Sequence, residues 1–418
     1  MSLDRLVQDL AVRARRATRT LTPMGRAEKD AALVSIAATI RAQSARILEA
    51  NAGDVKDARA KGTTAALVDR LVLDAARVEA IAASVEAVAS LPDPVGQVVE
   101  DRARPNGIRV RRVRVPLGVI AMIYEARPNV TAEASALCLK AGDAVILRGG
   151  SDASRSNHAI GEAVRAGIEA AHLPADAVQL MPDTSRDGVR ALVQAEGLVD
   201  LAIPRGGEAL IRFVTEHARV PVVQHYKGVC HLYVDAGADV AMAVSLAVNG
   251  KLSRPGVCNA LECLLVDAKD AARLLPPIAK ALLAGGCELR GCERTRALVP
   301  EAKVATSADW GCEFLDRVLA VRVVDGLEGA MEHVAAWGSG HTESICTRDV
   351  AHAERWRREV DAACVVVNAS TRFHDGGELG LGAEIGIATS RLHWRGPMGL
   401  EALTTMKWLV DGEGQLRG

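Results

Sequence analysis

Aromatic residues are scarce in this chain of 418 residues: three Tyr, three Phe and five Trp make up only 3% of it. A protein that stacks on single-stranded nucleic acid needs such rings in number. An excess of positive charge is also missing. The 51 basic and 52 acidic side chains nearly cancel, whereas neutralising phosphates takes a basic face, so no nucleic-acid partner is expected. Long apolar runs are absent too. No stretch approaches the roughly 18 uncharged apolar residues of a membrane span, and the N-terminal MSLDRLVQDLAVRARR alternates charges with leucines where a signal peptide would carry an apolar core. These absences predict a soluble, cytoplasmic protein with no membrane contact. The nine cysteines lack Cys-x-x-Cys spacing, which suggests neither a disulfide framework nor a zinc site, and no metal is expected.

What is present is length and apolar content. At 418 residues, 49% of them hydrophobic, the chain is too long for one ordinary core, and two or three domains are expected. Residues 1–90 read as helices, because Leu3, Leu6 and Leu10, then Ala32, Leu33, Ile36 and Ile40, then Val78, Ile81, Val85 and Val88 recur every three or four positions. Pro92, Pro94 and Gly96 close that section. Residues 108–115, IRVRRVRV, then alternate as a strand. So many arginines do not fit a two-sided core, which leaves a solvated edge or a subunit contact. From Gly118 onward strands and helices alternate. Strands are expected over 119–124, 144–147, 177–181 and 199–203, and a second such series starts near Val229 with strands over 231–234, 262–266, 318–324, 344–347 and 364–368. Helical crossovers between such strands predict an α/β fold of two doubly wound parallel sheets. The last fifty residues are rich in glycine and end in an expected edge strand over 406–410.

Several stretches could carry chemistry. KLSRPGVCNALEC, residues 251–263, sets Cys258 in an Arg-Pro-Gly turn at the entrance of a strand, where proline and glycine permit a tight approach. Cys258 reads either as a nucleophile facing a cleft or as a small buried hydrophobe. Lys251 and Arg254 lie within sequence reach to favour the thiolate. Two glycine pairs follow strands, Arg148-Gly149-Gly150 and Arg205-Gly206-Gly207. Their backbone N–H groups at a strand-to-helix turn suit a phosphate, and equally an ordinary tight turn. Arg127 and Asn129, in YEARPN, fall at the carboxyl end of a strand. Arg372, in STRFHDGG, fits an anion clamp or a solvated loop. Glu313 with Phe314 precedes a strand, as a ribose ligand or a surface pair. His225, His231 and His374 are open candidates for a partner to Cys258.

Taken together, YEARPNVT, AVILRGGS, AIPRGG, RPGVCN, VNASTRF, DGGELGLGAEIG and RGPMGLEALTT closely resemble the gamma-glutamyl phosphate reductases, a branch of the aldehyde dehydrogenase superfamily. The likeness runs through nearly the whole chain in order. It implies an aldehyde-dehydrogenase-like fold: a cofactor-binding domain over 1–104, 117–228 and 369–392, a catalytic domain over 229–368, and an oligomerisation β-flap over 105–116 and 393–418. The activity implied is reduction of L-glutamyl 5-phosphate to L-glutamate 5-semialdehyde and phosphate, by NADPH, through a thioester on Cys258. The chain is then expected to form dimers or tetramers, and to couple functionally to glutamate 5-kinase. Arg148, Gly149, Gly150, Arg205, Gly206, Gly207, Glu313 and Phe314 would take the NADPH/NADP cofactor. Arg127, Arg254 and Arg372 would meet the substrate, and Asn129 with the Cys258 N–H would hold the oxyanion. In aldehyde-oxidising relatives a glutamate activates water against the thioester. The matching stretch here, HYKGVCH (225–231), has no acidic residue, which favours reduction. Two other readings remain: an aldehyde-oxidising member, and a regulatory protein whose catalytic site has decayed.

Overall fold

The computed structural model describes residues 2–224 and 226–417. They form two compact units, Met1–Gln224 with Leu381–Gly386 and Met398–Gly418, and His225–Gly380 with Ile387–Pro397. Residues 369–380 and 387–392, expected in the cofactor-binding domain, group instead with the unit that holds residues 229–368, and residues 105–116 group with the first unit.

The first unit begins with α1 (Leu3–Leu21), α2 (Arg26–Ala42), α3 (Ser44–Ala60), α4 (Ala65–Leu71) and α5 (Ala75–Ser90). Ser2 caps α1 by accepting from Arg5 N at 3.3 Å, and Asp74 caps α5 by accepting from Arg77 N at 2.7 Å. The buried stripe of α1 runs through Val7, Leu10, Ala14 and Leu21, so Leu3 and Leu6 flank it. Two strands follow, β1 (Val98–Ala103) and β2 (Arg109–Pro116). Then come β3 (Val119–Tyr124), α6 (Asn129–Ala141), β4 (Ala144–Gly149), α7 (Ser154–Ala170), β5 (Val178–Leu180), α8 (Arg186–Val193), β6 (Leu201–Arg205) and α9 (Glu208–His217). Gly142 ends α6 at φ +82°, a conformation that a side chain disfavours.

β3 to β6 make a parallel sheet in the order β5-β4-β3-β6. Every residue of β3 is buried, which is why that strand reads as an unbroken apolar run and not as an alternation. The chain winds outward from β3 to β5 and then returns to place β6 on the other side of β3. Strand order thus reverses between β3 and β6, and the loops at their carboxyl ends face the crevice where such sheets take ligands.

The second unit alternates β7 (Cys230–Val234), α10 (Val240–Leu252), β8 (Leu261–Asp267), α11 (Ala271–Ala284), β9 (Glu288–Gly291), α12 (Glu293–Leu298), β10 (Lys303–Val304), β11 (Val318–Val324), α13 (Gly326–Trp337), β12 (Thr342–Cys346), α14 (Val350–Glu359) and β13 (Cys364–Val367). Its seven-stranded sheet has the order β10-β9-β11-β8-β7-β12-β13. Apolar cores fill both faces. Leu264 and Val266 of β8 pack with Leu274 and Ile278 of α11 on one side. Cys263 and Leu265 pack with Leu327 and Ala330 of α13 on the other. Each such aliphatic side chain contributes about 2 kcal/mol by leaving water.

Two short strands, β14 (Gly386–Ala388) and β15 (Gly396–Met398), precede β16 (Thr404–Asp411). β16 joins β1 and β2 in a three-stranded antiparallel sheet with β2 in the middle. The solvated-edge reading of 108–115 is therefore corrected. Its arginines are accommodated because acids on its neighbours and the adjoining turn meet them: Arg109 meets Asp101 at 2.5 Å, Arg111 meets Asp411 at 2.8 Å, Arg112 meets Glu100 at 3.1 Å and Arg114 meets Glu401 at 2.7 Å. Among the described residues, no helix is long and apolar enough to cross a membrane.

Candidate active site

In the second unit α10 stops at Leu252, and residues 253–260 turn sharply before β8. The turn holds Cys258 partly buried, and Ala260 N donates to Val257 O at 3.0 Å across it. Two further loops clasp the backbone of Cys258. Gly228 lies against the Cys258 carbonyl so closely that a side chain there has no room, and its N–H donates to Glu313 Oε1 at 2.9 Å. Burial pushes the Cys230 thiol well up, with the Glu343 charge adding to the effect. Cys230 therefore stays protonated and donates to Cys258 O at 3.2 Å. From the other side, buried Asn259 donates to His374 O at 3.0 Å, and Thr371 Oγ1 donates to Asn259 O at 2.8 Å.

Positive charge converges on this turn. Burial draws the Arg372 guanidinium's pKa down and the neighbouring Arg254 cation adds to that, while Asp375 and Cys258 oppose it. A desolvated cation with a second cation beside it favours an incoming anion and the thiolate form of a nearby cysteine. Lys251 does not share this role. It is wholly buried and gives its ammonium to Glu262 Oε2 at 2.5 Å. Burial raises the Glu262 carboxyl to about 7, against the pull of Lys251. Its other oxygen accepts from Leu315 N at 3.1 Å. The Phe314 ring sits beneath both Lys251 and Arg290.

The three candidate histidines separate. His225 lies outside the described residues. His231 is buried on β7, 2.8 Å from Glu343. His374 is buried with its Nδ1 2.7 Å from Thr342 Oγ1, and His341 Nδ1 is 2.7 Å from the same hydroxyl. His341 also stands 3.6 Å from Cys230 Sγ. Sequence reasoning missed Gly228, Cys230, Asn259 and His341, for none carries a spacing signal. The only hint was that Asn259 follows the cysteine.

In the first unit the loops after β3, β4 and β6 meet at the reversal of strand order. Glu125 accepts from Gly207 N at 3.0 Å, and a methyl group on Gly206 would press on the same carboxylate at 2.4 Å. Gly149 leaves room for Asn157, whose amide nitrogen would be 2.1 Å from an added Cβ. A cavity of about 360 Å³ opens beside Gly149, lined by Leu147, Asn157, Leu180 and Pro182 among others. The lining mixes apolar Leu147, Leu180 and Pro182 with polar Asn157, Gln179 and Arg165, a composition that suits a small polar molecule. Arg148 does not line this cavity. It is buried, and its guanidinium donates to Thr184 O and to Ser185 O, the latter at 3.0 Å. Arg205 stands 3.9 Å from Glu384. Asn129 opens α6 and donates to Glu133 at 3.0 Å, while Arg127 is exposed. Gly150 faces the backbone of Glu125, 3.5 Å from its would-be Cβ.

The family model "Aldehyde dehydrogenase family" matches residues 4–284. A gamma-glutamyl phosphate reductase of Sorangium cellulosum is 59% identical across 100% of this chain and 99% of its own length. Another, from Xanthomonas campestris, is 56% identical across 98% of this chain and 99% of its own. The crystal structure of gamma-glutamyl phosphate reductase from Thermotoga maritima superposes with a TM-score of 0.97 at 45% identity, covering 99% of this chain and 100% of that one.

Proposed function

Because the chain belongs to the aldehyde dehydrogenase family and, within it, to the gamma-glutamyl phosphate reductases, we propose that it reduces L-glutamyl 5-phosphate to L-glutamate 5-semialdehyde and phosphate with NADPH. This is the second step of proline biosynthesis from glutamate, in the cytoplasm, on a substrate supplied by glutamate 5-kinase. At the coarser level the chain is an oxidoreductase acting at an aldehyde carbon. The observation that carries the finer reading is a cysteine whose backbone is clasped by two other loops, with Arg254 in its own turn and Arg372 in a clasping loop, where Asn259 donates to Arg372 O at 3.4 Å.

Cys258 attacks the acyl carbon as a thiolate, the C–S bond forms, and the C–O bond to phosphate breaks with its electron pair leaving on the phosphate, which takes up one proton from solvent and departs as the dianion. Arg254 and Arg372 stabilise that dianion as it departs. The Cys258 N–H is the proposed donor to the acyl oxygen, and Asn129 is a second candidate by the resemblance alone. Glu313 and Glu262 are held by Gly228 N–H and by Lys251, so neither carboxylate is disposed to activate water against the thioester. In the first unit Gly149, Gly150, Arg205, Gly206 and Gly207 would hold the dinucleotide's phosphates, while Arg148, Glu313 and Phe314 are cofactor candidates by the resemblance alone. When bound, the reduced nicotinamide supplies a hydride to the thioester carbonyl.

Dimers or tetramers would form through the sheet of β1, β2 and β16, whose surface exposes Val98, Trp408 and Val410.

The test is intact-protein and peptide mass spectrometry after mixing with glutamyl phosphate in the absence of dinucleotide. A glutamyl adduct on Cys258, discharged by NADPH, is expected. An adduct confined to another side chain, or none in a protein that turns over, defeats the reading. Phosphate-dependent reduction of NADP by glutamate semialdehyde separates it from simple aldehyde oxidation to the acid.

A further inference from the structure

Within the unit that carries Cys258 lies a second group of reactive side chains that the proposed reaction leaves unused. Cys263, His231 and Glu343 sit on the neighbouring strands β8, β7 and β12 at directly paired positions. In parallel strands, paired residues point to the same face. Here that face is covered by α13, which lowers His333 onto them. Cys263 Sγ is 3.6 Å from His333 Nε2. One donor atom each from His231, Cys263 and His333 falls within 4.8 Å of the other two. His231, Cys263 and Glu343 are 0% exposed and His333 4%.

Burial this complete makes unsatisfied polar atoms costly. Yet His231 Nε2 and both carboxylate oxygens of Glu343 lack a hydrogen-bond partner. The 2.8 Å approach of His231 Nδ1 to Glu343 is close enough for an ion pair but not aligned as a hydrogen bond.

We propose that His231, Cys263 and His333 form a buried zinc site, with Glu343 orienting His231 from behind. Zinc takes imidazole nitrogen at about 2.0–2.1 Å and thiolate sulfur at about 2.3 Å in a tetrahedral shell. Donors in such a shell stand about 3.5 Å apart, and the Cys263–His333 pair already has that separation. A carboxylate behind a ligating histidine fixes its tautomer and leaves the other nitrogen for the ion. The charge balances as well: the dication meets one thiolate and one carboxylate, as Cys263 releases its thiol proton and His231, ion-paired with Glu343, its Nε2 proton to solvent while the S–Zn and N–Zn bonds form.

One contact competes. Arg322 stands 2.9 Å from His333 Nδ1. Zinc on Nε2 requires the proton on Nδ1, so this guanidinium, partly exposed and resting over Trp310, must turn away. The competition yields a specific expectation for Arg322→Gln.

The experiment uses the full chain carrying Cys258→Ser, so that the nucleophile takes no metal. The protein is equilibrated with zinc chloride, gel-filtered and analysed for zinc, and separately titrated with cobalt(II). One zinc per chain and a thiolate-to-cobalt charge-transfer band are expected. Adding Cys263→Ser or His333→Gln removes both signals, and adding Arg322→Gln tightens binding several-fold. Failure of the Cys258→Ser protein to retain zinc, or zinc and the band surviving both ligand changes, overturns the site. If the ligand variants do not fold, the cobalt band of the Cys258→Ser parent decides, and its absence overturns the site too. Neither readout depends on catalysis, so the outcome stands apart from that of the proposed reductase activity.

Discussion

A Cβ built on Gly228 would lie 1.9 Å from the carbonyl oxygen of Cys258. The obstacle is backbone, which cannot rotate aside, so Gly228→Ala must push the nucleophile's turn outward. Overpacking of this kind costs about 1–3 kcal/mol, and displacing a reacting group by about 1 Å costs about a hundredfold in rate. The expected result is a folded protein with a modestly lowered melting temperature and kcat down about a hundredfold. Steady-state kinetics and thermal unfolding check it, and wild-type kcat would show that the turn tolerates the shift.

Arg372→Ala removes a desolvated cation that acts on Cys258. Alkylation of Cys258 by iodoacetamide at neutral pH should slow about tenfold, equivalent to about 1.4 kcal/mol, with the rate-against-pH curve displaced to higher pH. Arg372→Lys should recover most of the alkylation rate but less of the turnover, because a point charge replaces a bidentate fork.

Glu125 occupies the Gly207 N–H that a dinucleotide phosphate would need. Glu125→Ala, which removes the acceptor, should strengthen NADPH binding about threefold to tenfold, the scale of one hydrogen bond of about 1 kcal/mol. Fluorescence titration measures this. A weaker complex would mean that the carboxylate holds the loop in its binding shape.

Lys251 and Glu262 are buried together. Lys251→Met leaves the carboxylate alone and should cost about 3–5 kcal/mol at pH 8. The carboxyl's folded pKa is already about 7, above the unfolded value, so protonation stabilises the fold at low pH and that contribution fades as pH rises. Loss of the lysine raises the pKa further. The penalty in Lys251→Met should therefore shrink at pH 5, where the carboxyl is neutral. Denaturant melts at the two pH values compare them, and an equal penalty at both speaks against a charged Glu262.

Trp408 is 55% exposed and Val410 62% exposed, on the same face of β16. If the proposed dimers or tetramers form through this face, Val410→Lys shifts them toward monomers in light scattering while leaving the melting temperature of the monomer within a few degrees.

Much of the architecture was legible because local periodicity and burial agree. Residues 119–124 and 144–147 are apolar without interruption because both sheet faces are covered, and Val78, Ile81, Val85 and Val88 mark α5 because one face is. The 108–115 strand misled for a corresponding reason: its charges are neutralised by acids up to 300 residues away in sequence, which no local pattern reveals. The expectation of no metal rested on Cys-x-x-Cys spacing, whereas His231, Cys263 and His333 are gathered by strand pairing and a covering helix.

The amino-acid sequence by itself determined the two α/β units, the cysteine turn and the glycine loops, since turn chemistry and hydrophobic period act over a few residues. Only the tertiary structure decided that Lys251 serves Glu262, that Glu313 holds Gly228 across 85 positions, and that Cys230 braces the Cys258 carbonyl. Those pairings depend on which strands lie side by side, and that is settled by the packing of the whole sheet.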